Sequence, residues 1–139
     1  MNKKSILAIE RIISYIRELS IITKGRDDKY FYNSFEFNIL LDLIYEIDNN
    51  LNKISPKVKE KYSNIDWKVI EKRKYIDEVT GERWNSMNVG ETWILANGII
   101  KDELLDKLND LLEKELSTYY TNYCNKLHEK ANKERSKHE

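Results

Sequence analysis

A run of basic residues near the middle of the chain is the first group that could do chemistry. Lys68, Lys72, Arg73 and Lys74 follow one another closely. Ammonium and guanidinium groups in such a run contact phosphate oxygens, so the pattern predicts an RNA-binding surface. The same pattern is typical of a helix face that is simply solvated, and the sequence leaves both interpretations open.

The residues that bind metal ions or act as nucleophiles are few. Cys124 is the only cysteine, and the two histidines are His128 and His138. Cys124 and His128 have the spacing of two ligands on one helix, but the rest of a ligand set is missing. We therefore expect no metal site and no cofactor. A single cysteine allows no intrachain disulfide, which fits a reducing cytoplasm.

Tyr119, Tyr120 and Tyr123 form an aromatic group late in the chain. Such a group either closes a core or dimer edge, or provides a platform on which nucleic-acid bases stack. The spacing favours a core or dimer edge.

The charge balance argues against broad electrostatic binding of nucleic acid. The chain has 139 residues, and its 24 basic and 24 acidic residues give a formal net charge of zero. The charges are unevenly spread, since residues 57–74 are mainly basic and residues 102–115 mainly acidic. A basic patch facing an acidic helix is the simplest interpretation.

Apolar residues recur at helical spacing through the first half of the chain. Residues 4–23 and 29–54 predict two long helices, and Gly25 suits the left-handed position after the first. Ser55 followed by Pro56 predicts the start of a short helix, because Ser caps free amides and Pro has none to lose.

The second half predicts two further helices. Asp66 can cap a helix from Trp67 to about Val79. The last helix begins near Glu91 or Thr92, with a kink expected at Asn97-Gly98 because glycine weakens a helix.

These elements predict an all-α fold, an antiparallel up-down four-helix bundle with a short extra helix and a frayed C-terminal tail. We expect residues 1–127 to form one domain and residues 128–139 a charged flexible tail. The first residues contain no long apolar run, so we expect no signal peptide, no membrane span and a cytoplasmic protein.

The order of these features resembles the HEPN superfamily, and within it the HepT-like group. The resemblance covers roughly residues 5 to 116. It rests on a long second helix reading LLDLIYEIDNNLNKIS, a basic spacer reading PKVKEKYSNIDW, a helix reading KVIEKRK, and a last helix that begins ETWILANGII. It implies a helical bundle that forms a homodimer.

The active members of that family cleave RNA without a metal, using an Arg followed by a His. The His moves protons and the Arg stabilises phosphoryl charge. Counted from Trp67, the Arg position falls near Arg73 or Lys74 and the His position near Val79.

A second register places Arg83 at the Arg position and Asn88 at the His position. Asn cannot carry a proton, and Gly90 occupies the place of a Tyr that is modified in the family's toxins. The resemblance assigns Glu46 to the wall of the same cleft.

The sequence therefore favours a degenerate HEPN-like module that binds a protein or RNA in a prokaryotic or phage conflict system, either toxin–antitoxin or defence. Its expected partners are a second copy, an antitoxin or defence protein, and RNA. The alternatives are a metal-independent ribonuclease toxin with a rearranged Arg site and a phage-encoded inhibitor of a host defence protein.

Overall fold

The computed structural model describes residues 1–32, 35–70 and 89–138. This part of the chain is an all-α helical bundle, as the sequence predicts, and contains no strand. Six helices are described within it: α1 (Lys3–Thr23), α2 (Asp28–Phe31), α3 (Glu36–Leu51), α4 (Pro56–Lys61), α5 (Val89–Lys101) and α6 (Leu104–His138).

The core lies between α1, α3, α5 and the first turns of α6. α1 packs along α3, and α5 and α6 both contact α1. The fully buried side chains are mostly Ile and Leu at helical spacing, as expected for helices that each present one apolar face to a shared interior. Examples from the four helices are Ile9, Ile12, Ile16, Ile44, Ile47, Leu95, Ile99 and Leu108.

Asn2 caps the start of α1. The side chain of Asn2 accepts the Ser5 backbone N–H at 2.8 Å. Ser5 is buried, and its hydroxyl accepts the backbone N–H of Ser55 at 3.2 Å, which ties α1 to the beginning of α4. The end of α1 agrees with the sequence, since Gly25 has a φ of 72°.

The expected single helix over residues 29–54 is wrong. Asp27 caps a one-turn helix, α2, whose Phe31 is fully buried, while Phe35 is 79% exposed before α3 begins. α2 ends at Phe31, because Tyr32 leaves the helical conformation with a ψ of 127°. α3 ends at Leu51, and Ser55 then caps α4 by accepting the Val58 N–H, as predicted.

The last predicted helix is divided, but not at Asn97-Gly98. Asn97 stays helical and donates its side-chain amide to the Trp93 carbonyl at 2.9 Å. The break comes at Asp102–Glu103, where Glu103 has a φ of 56°. This left-handed residue turns the chain from α5 into α6.

The predicted fraying beyond His128 is also wrong, because α6 remains helical to His138. The predicted helix from Trp67 to Val79 lies largely outside the described residues. Its first residues form turns, in which Asp66 accepts the backbone N–H of Lys68 at 3.2 Å.

Among the described residues, no helix combines the length and hydropathy that a membrane crossing needs. The same residues hold no cluster of three or more His, Cys, Asp or Glu side chains suited to a metal ion.

Candidate binding site

Of the three residues that the resemblance assigns to a cleft, only Glu46 lies within the described part of the chain. Glu46 lies on α3 and is half-buried, and its backbone carbonyl accepts the Asn50 side-chain amide at 2.8 Å. Arg83 and Asn88 lie outside the described residues, so their distance to Glu46 stays a prediction.

The predicted RNA-binding run is described only at Lys68. This side chain is exposed, one residue after Trp67, whose indole N–H donates to the carbonyls of Lys59 and Tyr62. Lys72, Arg73 and Lys74 lie outside the described residues. Only Glu46 of the predicted cleft and Lys68 of the predicted RNA-binding run are described, so both sites remain predictions.

The distal part of α6 is the most distinctive exposed feature of the described chain. Every residue from Ser117 to Lys137 is exposed, although the helix is continuous. We call this segment the arm. At a rise of about 1.5 Å per residue it extends for about 30 Å. The buried residues of α6 all precede it: Leu104, Leu108, Leu111 and Glu115.

One face of α6 carries an apolar stripe into the arm. Leu112 and Leu116 are half-buried at its beginning, and four large side chains continue it in the arm. Tyr119, Tyr120, Tyr123 and Leu127 are 56%, 60%, 54% and 50% exposed, respectively. At 3.6 residues per turn, these six residues fall within about 100° of the helix surface. We call these six residues the stripe.

The tyrosines of α6 do not belong to the core of the described bundle. The rings of Tyr119 and Tyr120 lie edge to face, with centroids 5.7 Å apart, and neither enters the core. A shallow groove of about 210 Å³ lies beside them, lined by Tyr119, Asn122, Tyr123 and Lys126. The tyrosines are therefore available to a partner.

Charge is segregated along α6. Residues 102–115 carry six acidic and two basic side chains. Residues 116–125 carry no charged side chain, and residues 126–137 carry five basic and two acidic ones. Favourable interaction with the helix dipole explains charges only in the first and last turns. The remaining segregation therefore needs another explanation.

A buried carboxylate anchors the base of the arm. Glu115 is 6% exposed and accepts hydrogen bonds from the Lys61 ammonium at 2.8 Å and from the Tyr62 hydroxyl. Burial alone would raise the pKa of Glu115, but the hydrogen bonds from Lys61 and Tyr62 outweigh it and hold that pKa below its ordinary value. Burial, and then the bond to Glu115, raises the pKa of Tyr62.

No pattern in the sequence predicts this cluster. Glu115 is more than fifty positions from Lys61 and Tyr62, and no local pattern pairs them. The only signal is the acidic segment 102–115 set against the basic segment 57–74, which the Lys61–Glu115 pair joins. The cluster fixes α6 to α4 at the point where α6 leaves the bundle, so it sets the direction of the arm.

Comparison with known proteins adds no relative: no family model matches the chain, and neither the curated proteins nor the solved structures contain a significant match.

Proposed function

We propose that this chain is a binding module and that the arm presents its binding surface. The observation that carries the proposal is the exposure of every residue from Ser117 to Lys137 on a helix that still bears an apolar stripe.

The arm stays helical without packing against the described bundle. An isolated helix of this length has little stability in water, because most helical stability in proteins comes from packing an apolar face. The described bundle packs none of the arm, yet Tyr119, Tyr120, Tyr123 and Leu127 share a face. A partner that covers this face would supply the missing packing, as when an amphipathic helix binds in a groove.

The resemblance supplies the biological setting of the proposal. A degenerate HEPN-like module acts in a prokaryotic or phage conflict system by binding a protein, either a second copy or an antitoxin or defence protein. The all-α bundle and the capped α4 after a long helix support this proposal. RNA is the competing ligand, and the basic end of the arm is the described feature that favours it.

The test compares two double variants in the full chain. Tyr119→Glu/Tyr123→Glu changes the stripe, whereas Thr118→Glu/Asn125→Glu adds the same charge on the opposite face of the arm. All four positions are exposed, so both variants should keep the fold. Each is co-expressed with the products of neighbouring genes, and co-purification is measured.

We expect the wild type and the opposite-face variant to retain a partner that the stripe variant loses. Equal retention by all three proteins would contradict an arm-centred binding module. In parallel, total RNA is incubated with the wild type and with Arg83→Ala and Arg73→Ala variants. Cleavage by the wild type that either substitution abolishes would establish the ribonuclease alternative instead.

A further inference from the structure

We infer that the arm binds the arm of a second copy of this chain, antiparallel, with the two-fold axis passing between Tyr119 and Tyr120. The inference rests on the proposed function, since it identifies the first partner of the stripe. It follows from the spacing of the stripe, the charge of the flanking segments and the exposed apolar area.

The stripe has the same spacing in both directions along the helix. From Leu112 to Leu127, its successive separations are four, three, one, three and four residues. In an antiparallel pair with two-fold symmetry, residues whose numbers add to a constant lie at the same level. Leu112 then lies beside Leu127 of the second copy, and Leu116 beside Tyr123 of the second copy. Each residue of the stripe therefore lies beside a stripe residue of the second copy.

The centre of the pair suits tyrosine. Tyr119 and Tyr120 lie on the two edges of the stripe, on either side of its middle line. Around the two-fold axis, four tyrosine rings would pack together, while their hydroxyls point outward to water at the edges of the interface. Tyrosine is favoured at such positions because it combines a large apolar ring with a polar end.

The charges specify the antiparallel direction. Antiparallel pairing brings the acidic segment 102–115 of one copy beside the basic segment 126–137 of the other, and the uncharged segment 116–125 lies at the axis. Parallel pairing would instead place the two acidic segments side by side and the two basic segments side by side. A nucleic acid lying along the stripe would meet the acidic segment, which repels phosphate.

The exposed stripe supplies about two thirds of the area that the smaller specific interfaces bury. Tyr119, Tyr120, Tyr123 and Leu127 leave about 400 Å² of side-chain surface exposed on each copy, if a full side chain exposes about 200 Å². Two copies bury about 800 Å² through these residues alone. The aliphatic stems of neighbouring lysines and glutamates extend this area towards the ~1,200 Å² of the smaller specific interfaces.

The experiment measures mass by sedimentation equilibrium for three proteins: the wild type, Tyr119→Glu/Tyr123→Glu and Thr118→Glu/Asn125→Glu. We expect the wild type and the opposite-face variant to reach twice the chain mass of 16.7 kDa and the stripe variant to remain at 16.7 kDa. Circular dichroism of each protein checks that the bundle is retained. A monomeric wild type, or a dimer that the stripe variant leaves intact, would overturn the inference.

Salt tests the direction of pairing. Raising NaCl from about 50 mM to about 500 mM should weaken an antiparallel dimer, because screening reduces the attraction between its acidic and basic segments. A dimer that salt strengthens would overturn the antiparallel arrangement. A labelled single-stranded RNA is titrated in the same buffers.

The outcomes separate this inference from the proposed function. If the wild type is monomeric and retains a co-purifying protein that the stripe variant loses, only the second copy is overturned as the partner. A monomer that binds RNA through the stripe overturns it in favour of nucleic acid. If the stripe variant changes neither mass nor any binding, both proposals fail.

Discussion

Replacing Glu115 by Gln removes one charge from the base of the arm while keeping the shape of the side chain. Glu115 is buried, and its carboxylate accepts the Tyr62 hydroxyl and the Lys61 ammonium. A hydrogen bond to a charged group contributes about 1.5–3 kcal/mol and a neutral one about 0.5–1.5 kcal/mol. The loss at the Tyr62 bond is therefore about 1 kcal/mol at pH 7. Lys61 is solvated, so its attraction to Glu115 is strongly screened.

The sign of the pH dependence follows from the direction of the pKa shift. The pKa of Glu115 is lower in the folded chain than its ordinary value. The carboxylate therefore contributes stability above the unfolded pKa of about 4.3, and this contribution is lost as the pH falls through the folded pKa. The difference in unfolding free energy between wild type and Glu115→Gln should be about 1 kcal/mol at pH 7 and should shrink as the pH falls below about 4.3 and through the folded pKa.

The assay is urea unfolding followed by far-UV circular dichroism at several pH values between 7 and 3. One protein concentration is used throughout, because association of copies would add to the apparent stability. Glu113→Gln is the matched control, since Glu113 is two residues away and exposed. Equal stability of wild type and Glu115→Gln at pH 7, or a difference that persists unchanged at pH 3, would refute the reasoning about this cluster.

Three further substitutions test the described fold by urea unfolding. Phe31→Ala should cost about 3–5 kcal/mol, because this fully buried ring lies 5.3 Å from the Trp93 ring; a cost below about 1.5 kcal/mol would contradict its core position. Ser55→Ala should cost about 1 kcal/mol through the lost cap of α4, and Ser55→Asp should restore most of it; equal loss in both variants would exclude capping as the cause. Glu103→Gly should stabilise the chain by about 0.5–1 kcal/mol, since glycine adopts the positive φ without strain; destabilisation would contradict the left-handed turn between α5 and α6.

The sequence predicted the parts of the fold that local chemistry decides. Ser55 and Pro56 start α4, and Gly25 follows α1 in the left-handed conformation, because each of these residues satisfies a requirement within its own turn. The all-α class followed from the spacing of apolar residues, which reports directly on helix faces.

The breaks in the helices were missed because tertiary packing decides them. The aromatic residues 30–37 have good helical spacing, yet α2 ends at the fully buried Phe31 before α3 starts. Glycine at position 98 pointed to a kink, but the chain turns at Glu103, a residue with no turn preference. The sequence predicts fraying of residues 128–139 because it has no apolar face beyond Leu127, yet α6 stays helical to His138, since this segment has no helix breaker either.

In the candidate site, too, the sequence predicts local features and misses those that depend on tertiary packing. The tyrosine group was recognised from sequence, and its two interpretations differ only in whether the rings are buried, which needs a structure. The Glu115 cluster joins residues on α4 and α6 and leaves no local pattern. The predicted cleft around Arg83 and Asn88 lies outside the described residues and remains a prediction.

The most direct test of the central claim is a distance between two copies of the arm. Asn132→Cys in a Cys124→Ser background gives one spin-label site on the exposed face opposite the stripe. Antiparallel pairing about the Tyr119–Tyr120 axis separates the two positions 132 by about 38 Å along the helices, whereas parallel pairing places them at the same level. Because both labels lie on the outer faces of helices about 10 Å apart, they are also about 22 Å apart across the pair in either arrangement. Double electron–electron resonance should therefore show a distance of about 44 Å for antiparallel pairing and of about 22 Å for parallel pairing. A short distance, or no dipolar coupling at concentrations where the wild type should be dimeric, would contradict the account.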